Sequence, residues 1–288
     1  MFIIKYKWVF LIFSVIIIAA SIVAVIIFGL NRGIDFVGGT LWQVKGLTRA
    51  EIASVIPEAV IIPESDGAFL VRSKEIAEAE HQQLVQIFNK ISPLFEEQRF
   101  ESIGPAIGKE LEKKALTAFV LVILAISLYI AFAFRKVSRP VSSWKYGIIT
   151  IVTLFHDAII PAGMMAVLGY LLGVEIDINF IVAILVVMGF SVHDTIVVFD
   201  RIRENVRLSR DPSADFSGLV GRSISETVAR SINTSLTLII VLFALYFLGS
   251  ATLSYFTLVV LVGTIIGAYS SICIASPLLV LWRGKGAR

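Results

Sequence analysis

Charged residues are scarce in this 288-residue chain, at 16% of the sequence, whereas a soluble globular domain carries about a quarter. Hydrophobic residues make up 57% of the chain. This balance excludes an ordinary soluble domain and favours a membrane protein. Cysteine is nearly absent as well. The lone Cys273 excludes both an intramolecular disulfide and a cysteine-based zinc cluster.

Long apolar runs account for the hydrophobic excess. A helix needs about 20 apolar residues to cross a bilayer core, and six runs of this kind occur, at residues 8–29, 115–134, 146–172, 176–199, 232–248 and 255–282. The first run continues well past Ala19 and Ala20. We therefore interpret it as a membrane anchor, because the apolar region of a cleaved signal peptide is shorter. The sequence predicts an α-helical polytopic membrane protein with six transmembrane helices.

Lysine and arginine are distributed unevenly between the two ends of these runs. Lys5, Lys7, Arg135, Lys145 and Arg283 flank one end, whereas the short loops at the other end, residues 173–177 and 249–254, carry none. Positive charge marks the cytoplasmic side of a membrane protein. We therefore expect both termini in the cytoplasm and the long segment after the first run outside it. Because membrane insertion explains the basic residues, nucleic acid is not an expected partner.

The segment between the first two runs is polar enough to fold in water. Strand and helix patterns alternate along it at residues 40–45, 48–56, 59–62, 68–73, 74–91 and 97–103. The resulting order, β-α-β-β-α-β, predicts an α+β ferredoxin-like extracytoplasmic domain, with a Thr-x-x-Glu capping box on its first helix. We interpret His81, in its second helix, as a residue on a solvated face.

These patterns predict three parts of the chain. Residues 1–30 form an N-terminal cytoplasmic tip and the first membrane helix, and residues 31–112 form the extracytoplasmic domain. Residues 113–288 form a five-helix transmembrane bundle with a cytoplasmic loop at residues 200–230. No Ser/His/Asp set and no phosphate-binding loop occurs in the predicted domain, so we expect no enzymatic activity.

Ionisable residues occur inside or at the ends of the apolar runs, at Asp157, His193, Asp194, Asp200 and Arg230. Such residues are costly in a bilayer and usually face the bundle interior or a water-filled cavity. His193 and Asp200 are seven residues apart, as are Asp194 and Arg201, so each pair returns to nearly the same helix face. The pattern predicts a polar stripe suited to a proton relay. The alternative interpretation is a set of structural ion pairs.

Two His-Asp dipeptides, at residues 156–157 and 193–194, also raise the possibility of a metal site. They are 37 residues apart and have no evident third ligand, so we predict no metal and no cofactor. In the last apolar run, Gly263 and Gly267 belong to a small-residue face suited to close helix contact, within the chain or with a partner.

Two stretches of the chain resemble a known family. Residues 33–40 read GIDFVGGT, and residues 189–205 read GFSVHDTIVVFDRIREN. Both closely resemble the signatures of the SecD/SecF family of protein-export membrane proteins, and their positions match the SecF branch of that family. The resemblance covers nearly the whole chain. The motif residues singled out are Gly33, Asp35, Phe36, Gly38, Gly39, Arg201, Glu204 and Asn205.

The resemblance implies a subunit of the resistance-nodulation-division superfamily, in which two six-span halves work together and the partner half is SecD. It implies association with the SecYEG channel and the SecA motor in a bacterial plasma membrane, with the translocating polypeptide and membrane lipid as further partners. The implied function is use of the proton motive force in late steps of protein export, and Asp200 and Arg230 are carried over as family residues.

One departure from the family pattern leaves the proton carrier open. In SecD the position of His193 is commonly an aspartate that is central to proton conduction, so the carrier lies either on this chain or on SecD. Two alternative functions also stay open. One is a half-transporter that exports a small molecule or lipid, and the other is an assembly scaffold without a proton role.

Overall fold

The computed structural model describes residues 2–64, 67–135, 141–209, 215–250 and 253–283. Its helices are α1 Phe2–Lys5, α2 Lys7–Phe28, α3 Ile34–Val37, α4 Arg49–Val55, α5 Glu78–Ile91, α6 Pro105–Ala133, α7 Ser143–Leu172, α8 Ile178–Leu208, α9 Phe216–Leu248, α10 Ser254–Ser270 and α11 Ser276–Trp282. A π-helical turn, Ser271–Ala275, joins α10 to α11. The strands are β1 Gly39–Lys45, β2 Val60–Pro63, β3 Ala68–Ser73 and β4 Glu96–Ile103.

The chain divides into two compact units. One, which we call the bundle, contains Met1–Asn31 and Thr117–Arg288. The other, which we call the α+β unit, contains Arg32–Leu116. Within the described residues, six helical segments are long and apolar enough to cross a membrane, as the sequence predicted. The sixth, Ser254–Trp282, includes the π-helical turn.

The helices extend beyond the apolar runs. α8 continues to Leu208 and α9 begins at Phe216, so most of the segment predicted as a loop at residues 200–230 is helical. Residues 210–214 of that segment lie outside the described part of the chain. Ile202 and Val206 repeat at helical spacing and are buried in the bundle core with Ile224. Burial of this apolar stripe favours continued helix.

The small-residue face of the last span is used within the chain, where α10 packs closely against α8. A Cβ added at Gly267 would lie 2.9 Å from the Cβ of Ser191, and one at Gly263 would collide with the side chain of Val187. The two glycines therefore allow the helices to approach closely. This approach places the short side chains of Ser191 and Ser270 in the interior of the bundle.

The described residues of the α+β unit form a four-stranded antiparallel sheet in the order β2-β3-β1-β4. Helix α4 follows β1 and α5 follows β3, which gives the predicted β-α-β-β-α-β order and confirms the predicted fold class. The capping box is present at the start of α4, where Glu51 N donates to Thr48 Oγ1 at 3.3 Å and Thr48 N donates to Glu51 Oε2 at 2.7 Å.

Glycine is required where the first motif enters β1. Gly38 has φ 78° and Gly39 has φ 125°, a backbone region that other residues rarely adopt. A Cβ at Gly38 would lie 2.8 Å from the Cα of Pro105, and a Cβ at Gly39 would lie 2.8 Å from the carbonyl oxygen of Ser73. The two glycines therefore serve the fold of the α+β unit.

His81 is buried rather than solvated, so the sequence-based interpretation of this residue was wrong. Its Nε2 lies 2.7 Å from Glu97 Oε2, which also accepts a hydrogen bond from Trp42 Nε1 at 2.8 Å. The imidazole stacks on Phe100 with ring centroids 3.6 Å apart. The cause is helix periodicity: His81 precedes the buried Phe88 by two turns and shares its face of α5.

Candidate functional site: ionisable residues within the bundle

Exposure separates the ionisable residues of the spans into two groups. Asp157 and Asp194 are buried, at 0% and 1% exposure, whereas His193, Asp200 and Arg230 are exposed. His193 and Asp200 share one face of α8, and Asp194 is turned from His193 by one residue, or about 100°. Within the described residues, no hydrogen bond or ion pair joins Asp157, Asp194 and Arg230. The expected stripe therefore occupies two different faces.

Asp157, in the middle of α7, is bound to side chains of three helices. Its Oδ1 lies 2.7 Å from Nδ1 of the neighbouring His156. Its Oδ2 accepts hydrogen bonds from the hydroxyl of Ser191 in α8 and, at 2.8 Å, from the hydroxyl of Ser270 in α10. An unpaired polar group in a bilayer interior costs several kcal/mol, which these bonds avoid. The carboxyl group of Asp157 thus ties α7 to α8 and α10.

Asp194, in α8, is held more loosely. Its Oδ2 accepts a hydrogen bond of 3.0 Å from the hydroxyl of Ser235 in α9, the one donor to this carboxyl group within the described chain. The next residue, Thr195, instead bonds through its hydroxyl to that of Ser271, at 2.8 Å. Asp194 therefore connects α8 to α9, while Thr195 connects α8 to the π-helical turn.

The exposed polar residues of α9 form a continuous face. Arg230, Asn233 and Thr237 follow one another at intervals of three and four residues, and all three are exposed. Arg230 makes no ion pair with any residue that the structure describes. A polar helix face in a membrane normally lies against a partner or a water-filled cavity. The part of this face within the bilayer therefore favours a partner over lipid.

Asp200 lies six residues after Asp194 on α8 and forms an ion pair of its own. It pairs with Arg203, one turn further along α8. The structure thus places Asp200 in a local ion pair on the helix surface, away from the buried acids.

The end of the second motif holds α8 to α9. Arg201 Nε donates to Glu226 Oε2 at 2.6 Å, and Arg201 Nη1 donates to Glu204 Oε2 at 2.6 Å. Asn205 Nδ2 donates to Glu226 Oε2 at 2.8 Å and to Ser223 Oγ at 2.9 Å. Sequence reasoning missed Glu226 and Ser223. Their helical register would have revealed them, but the segment was interpreted as a loop.

The residues of the first motif belong to the α+β unit, whereas the buried acids belong to the bundle. Gly33 is the N-cap of α3, Asp35 is half-buried in its first turn and Phe36 is buried. In the part of the chain that the structure describes, no three His, Cys, Asp or Glu side chains form a group that could hold a metal ion. The buried acids are bonded by imidazole and hydroxyl groups, which donate and accept hydrogen bonds.

Fold and site together define a multi-pass membrane protein with buried ionisable residues and an α+β unit encoded between its first two spans. Residues 83–285 match the family described as Protein export membrane protein SecD/SecF, C-terminal, and residues 23–45 match the SecD/SecF GG Motif. The chain belongs to the SecD/SecF family of protein-export membrane proteins. This result confirms the resemblance that the two motifs indicated.

Relatives of known name extend over nearly the whole chain. Protein translocase subunit SecF of Thermobaculum terrenum is 41% identical, over 98% of this chain and 94% of its own length. Protein translocase subunit SecF of Anaerolinea thermophila is 37% identical, over 96% of this chain and 92% of its own length. These relatives are named as translocase subunits rather than as enzymes, and they support assignment of the chain to the SecF branch.

A longer relative contains the same region. The crystal structure of SecDF from Thermus thermophilus matches with a TM-score of 0.79 at 33% identity, covering 97% of this chain and 38% of that chain. SecDF in a super-membrane-facing form matches with a TM-score of 0.65 and the same coverage. This chain therefore spans about 38% of the length of the SecDF chain that it resembles.

Proposed function

We propose that this chain is a non-enzymatic subunit that acts with SecD to couple the proton motive force to late steps of protein export across a bacterial plasma membrane. The family supports the role in export. The proton role is supported by one observation above all: Asp194 is buried in a membrane span, is bonded by one described hydroxyl group, and directly follows the exposed His193.

The chemistry of a buried carboxyl group suits this role. A cation that approaches such a group stabilises its charged form, and a cation that withdraws favours its protonated form. Arg230 lies on α9, five residues before Ser235, which bonds to Asp194. A movement of α9 would therefore shift Arg230 and the hydrogen bond to Asp194 together. Loading and release of a proton would then accompany motion of the helix.

The exposed polar face of α9 supports SecD as the partner. The side-chain amide of Asn233 is costly to expose to lipid, and a second six-span half would cover it. In the SecDF relative, the matched region is only part of one longer chain. SecYEG, SecA and the translocating polypeptide are further partners that the resemblance implies, and lipid would surround the remaining apolar surface.

The orientation follows from the basic residues. Lys5, Lys7, Arg135, Lys145 and Arg283 lie at the ends of spans that we assign to the cytoplasmic side. Both termini would then be cytoplasmic. The α+β unit would lie on the outer side, where it would meet polypeptide that leaves the channel.

Export of a model secretory protein into inverted vesicles tests the proposal. Vesicles with SecD and this chain are compared with the gradient intact and collapsed. Asp194→Asn keeps an acceptor for Ser235 but cannot ionise, and Arg230→Met removes the charge at similar length. We expect both variants to reduce export to the level seen without a gradient, while copurification with SecD persists.

Asp200→Asn is the matched comparison, because Asp200 has Arg203 as its partner. A smaller effect is expected from this variant. Unchanged gradient dependence in all three variants would contradict the proposal and favour the scaffold. Transport of a small molecule by the purified complex, without a translocating polypeptide, would favour the exporter.

A further inference from the structure

Ser231 is a buried polar residue of α9 that the proposed function does not use. It is 1% exposed, and its hydroxyl group has no hydrogen-bond partner within the described residues. On the same helix, Ser223 and Thr227 each donate at 2.9 Å to the carbonyl oxygen four residues earlier, a common bond for a hydroxyl group inside a helix. Ser231 makes no such bond. Its hydroxyl group is therefore an uncommitted donor in the interior of the bundle.

The helical position of Ser231 relates this donor to Asp194. Ser231 precedes Ser235 by four residues, or about one turn, so the two side chains share nearly the same face of α9. Both serines are buried, and Ser235 donates to Oδ2 of Asp194 at 3.0 Å. Ser231 thus lies one turn from the serine that already bonds to this acid.

One carboxyl group can be bonded by both serines. Four residues of α-helix rise by about 6 Å, and a hydroxyl group donates to an oxygen at about 2.7 Å. Two such bonds, one to each oxygen of the carboxyl group, cover this separation. Oδ1 of Asp194 accepts no hydrogen bond within the described residues, since the bond from Ser235 goes to Oδ2. Oδ1 is therefore available to Ser231.

The charge of the carboxyl group decides how many donors it needs. A protonated carboxyl group donates one hydrogen bond itself, whereas a carboxylate only accepts them, at about four lone-pair sites. An ionised group away from water is costly unless other groups bond to it, and each donor favours the charged form. A single serine supplies one such donor, and a second donor one turn away supplies another.

We propose that Ser231 is a positioning residue, which donates to Oδ1 of Asp194 when this acid is ionised while Ser235 donates to Oδ2. The ionised carboxylate is then held by two successive turns of α9. This inference rests on the proposed function, because the bond matters to export only if Asp194 gains and loses a proton there.

The bond requires a small approach of α9 to α8. Before Ser235, the next residue of α9 that bonds to α8 is Glu226. Between these two residues, no hydrogen bond or ion pair joins the helices in the described part of the bundle. That section of α9 can therefore approach α8 without breaking a polar contact. Because Arg230 directly precedes Ser231, the approach moves this cation as well.

Few titratable or charged groups lie on the elements packed against this part of α8. His193 is next to Asp194 in the chain and is exposed, and α9 supplies Arg230. The other groups are His156 and Asp157 of α7, Tyr269 of α10 and Cys273 of the π-helical turn. Within the described residues, none of them forms a hydrogen bond or an ion pair with Asp194.

Infrared spectroscopy of Ser231→Cys, on the full chain in lipid bilayers and with Cys273→Ala, tests the bond directly. Cysteine keeps a small side chain with an S–H donor. The stretching band of this group lies apart from other protein bands and moves to lower frequency when the group donates. Ionisation of Asp194 is followed in the same spectra, through the carboxyl band that Asp194→Asn removes.

We expect the S–H band to move to lower frequency as rising pH ionises Asp194, and to stay in place when Asp194→Asn is also present. An S–H band that stays constant while Asp194 ionises would overturn the inference. The same holds for a carboxyl band that does not change with pH while the protein stays folded, since Ser231 would then have no ionised partner.

Ser231→Ala gives the functional test, because it removes the hydroxyl group but keeps a small side chain. We expect gradient-dependent export to fall by about tenfold, the effect of one hydrogen bond to a charged group. The melting temperature should stay the same or rise, since this hydroxyl group has no described partner to lose. Ser127→Ala is the matched control and should export normally, because Ser127 of α6 is also buried with an unpaired hydroxyl group. An equal loss of export in both variants would contradict the inference.

The two assays separate this inference from the proposed function. If Asp194→Asn abolishes gradient dependence while Ser231→Ala exports normally, the proposed function stands and this inference fails. If the S–H band follows the ionisation of Asp194 but export ignores the gradient even with the unchanged chain, the proposed function fails and the hydrogen bond stands.

Discussion

Two buried acids of one bundle differ in how firmly they are held. Asp157 contacts His156 and accepts hydrogen bonds from Ser191 and Ser270, whereas Asp194 accepts one described hydrogen bond, from Ser235. A carboxyl group whose oxygens are occupied from three sides is fixed in position. A carboxyl group with one partner can rotate and exchange it. The difference shows that Asp157 ties three helices together, and it agrees with our proposal that Asp194 exchanges its partner when α9 moves.

The largest expected effect comes from forcing α8 and α10 apart. Gly267→Val places a side chain against Ser191, and we expect a loss in the free energy of unfolding of about 3 kcal/mol, the upper end for overpacking. Thermal unfolding of the detergent-solubilised chain measures it. Gly189→Val is the control, since a Cβ there meets no atom within 4 Å. Equal losses from both variants would contradict the packing described.

Removal of each acid sharpens the comparison. Asp157→Ala leaves the Ser191 and Ser270 hydroxyls without their shared acceptor, so we expect a loss in the free energy of unfolding of about 2 kcal/mol. Asp194→Ala affects one hydroxyl, and about 1 kcal/mol is expected. Denaturant unfolding of the two variants gives the difference. A larger loss for Asp194→Ala would reverse the roles assigned to the two acids.

The serine partners should separate stability from coupling. Ser235→Ala removes the hydrogen bond to Asp194, and Ser270→Ala removes the one to Asp157 together with a bond of 3.1 Å to the Gly267 carbonyl oxygen within α10. Each bond between helices is worth about 1 kcal/mol, and the two variants should unfold at similar temperatures. In the vesicle assay, however, Ser235→Ala should weaken gradient-dependent export more, because Asp194 loses its described donor while Asp157 keeps Ser191 and His156. Equal effects on export would show that the number of hydrogen-bond partners of each acid does not determine its part in gradient-dependent export.

The smallest effect is expected at the exposed ion pair between Arg201 of α8 and Glu226 of α9. Glu226→Gln removes the charge that pairs with Arg201 but keeps an acceptor for Asn205. Since both charged side chains are about one-third exposed, we expect a loss of about 0.5 kcal/mol. Unfolding in low and high salt checks this, because screening by about 1 M salt should remove the difference.

The fold was largely predictable because its signals are local. Apolar runs of bilayer length identify the six spans among the described residues, and the Thr48–Glu51 capping box marks a helix start within four residues. Helices α8 and α9 are longer than the apolar runs that predicted them. The reason is that the buried Ile202 and Ile224 continue the helical pattern of apolar residues beyond those runs. Hydropathy alone does not detect a helix that continues past the membrane.

The site was less predictable because its partners come from different helices. Seven-residue spacing correctly groups His193 with Asp200, but Asp194 points to another side of α8. Nothing in the sequence pairs Ser270 with Asp157 across 113 positions. His81 was misjudged for a related reason, since its acceptor Glu97 lies on a strand 16 residues away.

The indole of Trp42 gives this molecule a natural optical reporter. Of the four tryptophans, only Trp42 belongs to the α+β unit, where it is fully buried and donates to Glu97. Replacement of Trp8, Trp144 and Trp282 by phenylalanine would leave one emitter inside that unit. Its fluorescence would then report a change in the packing between the sheet and α5, without a dye and without a signal from the membrane helices.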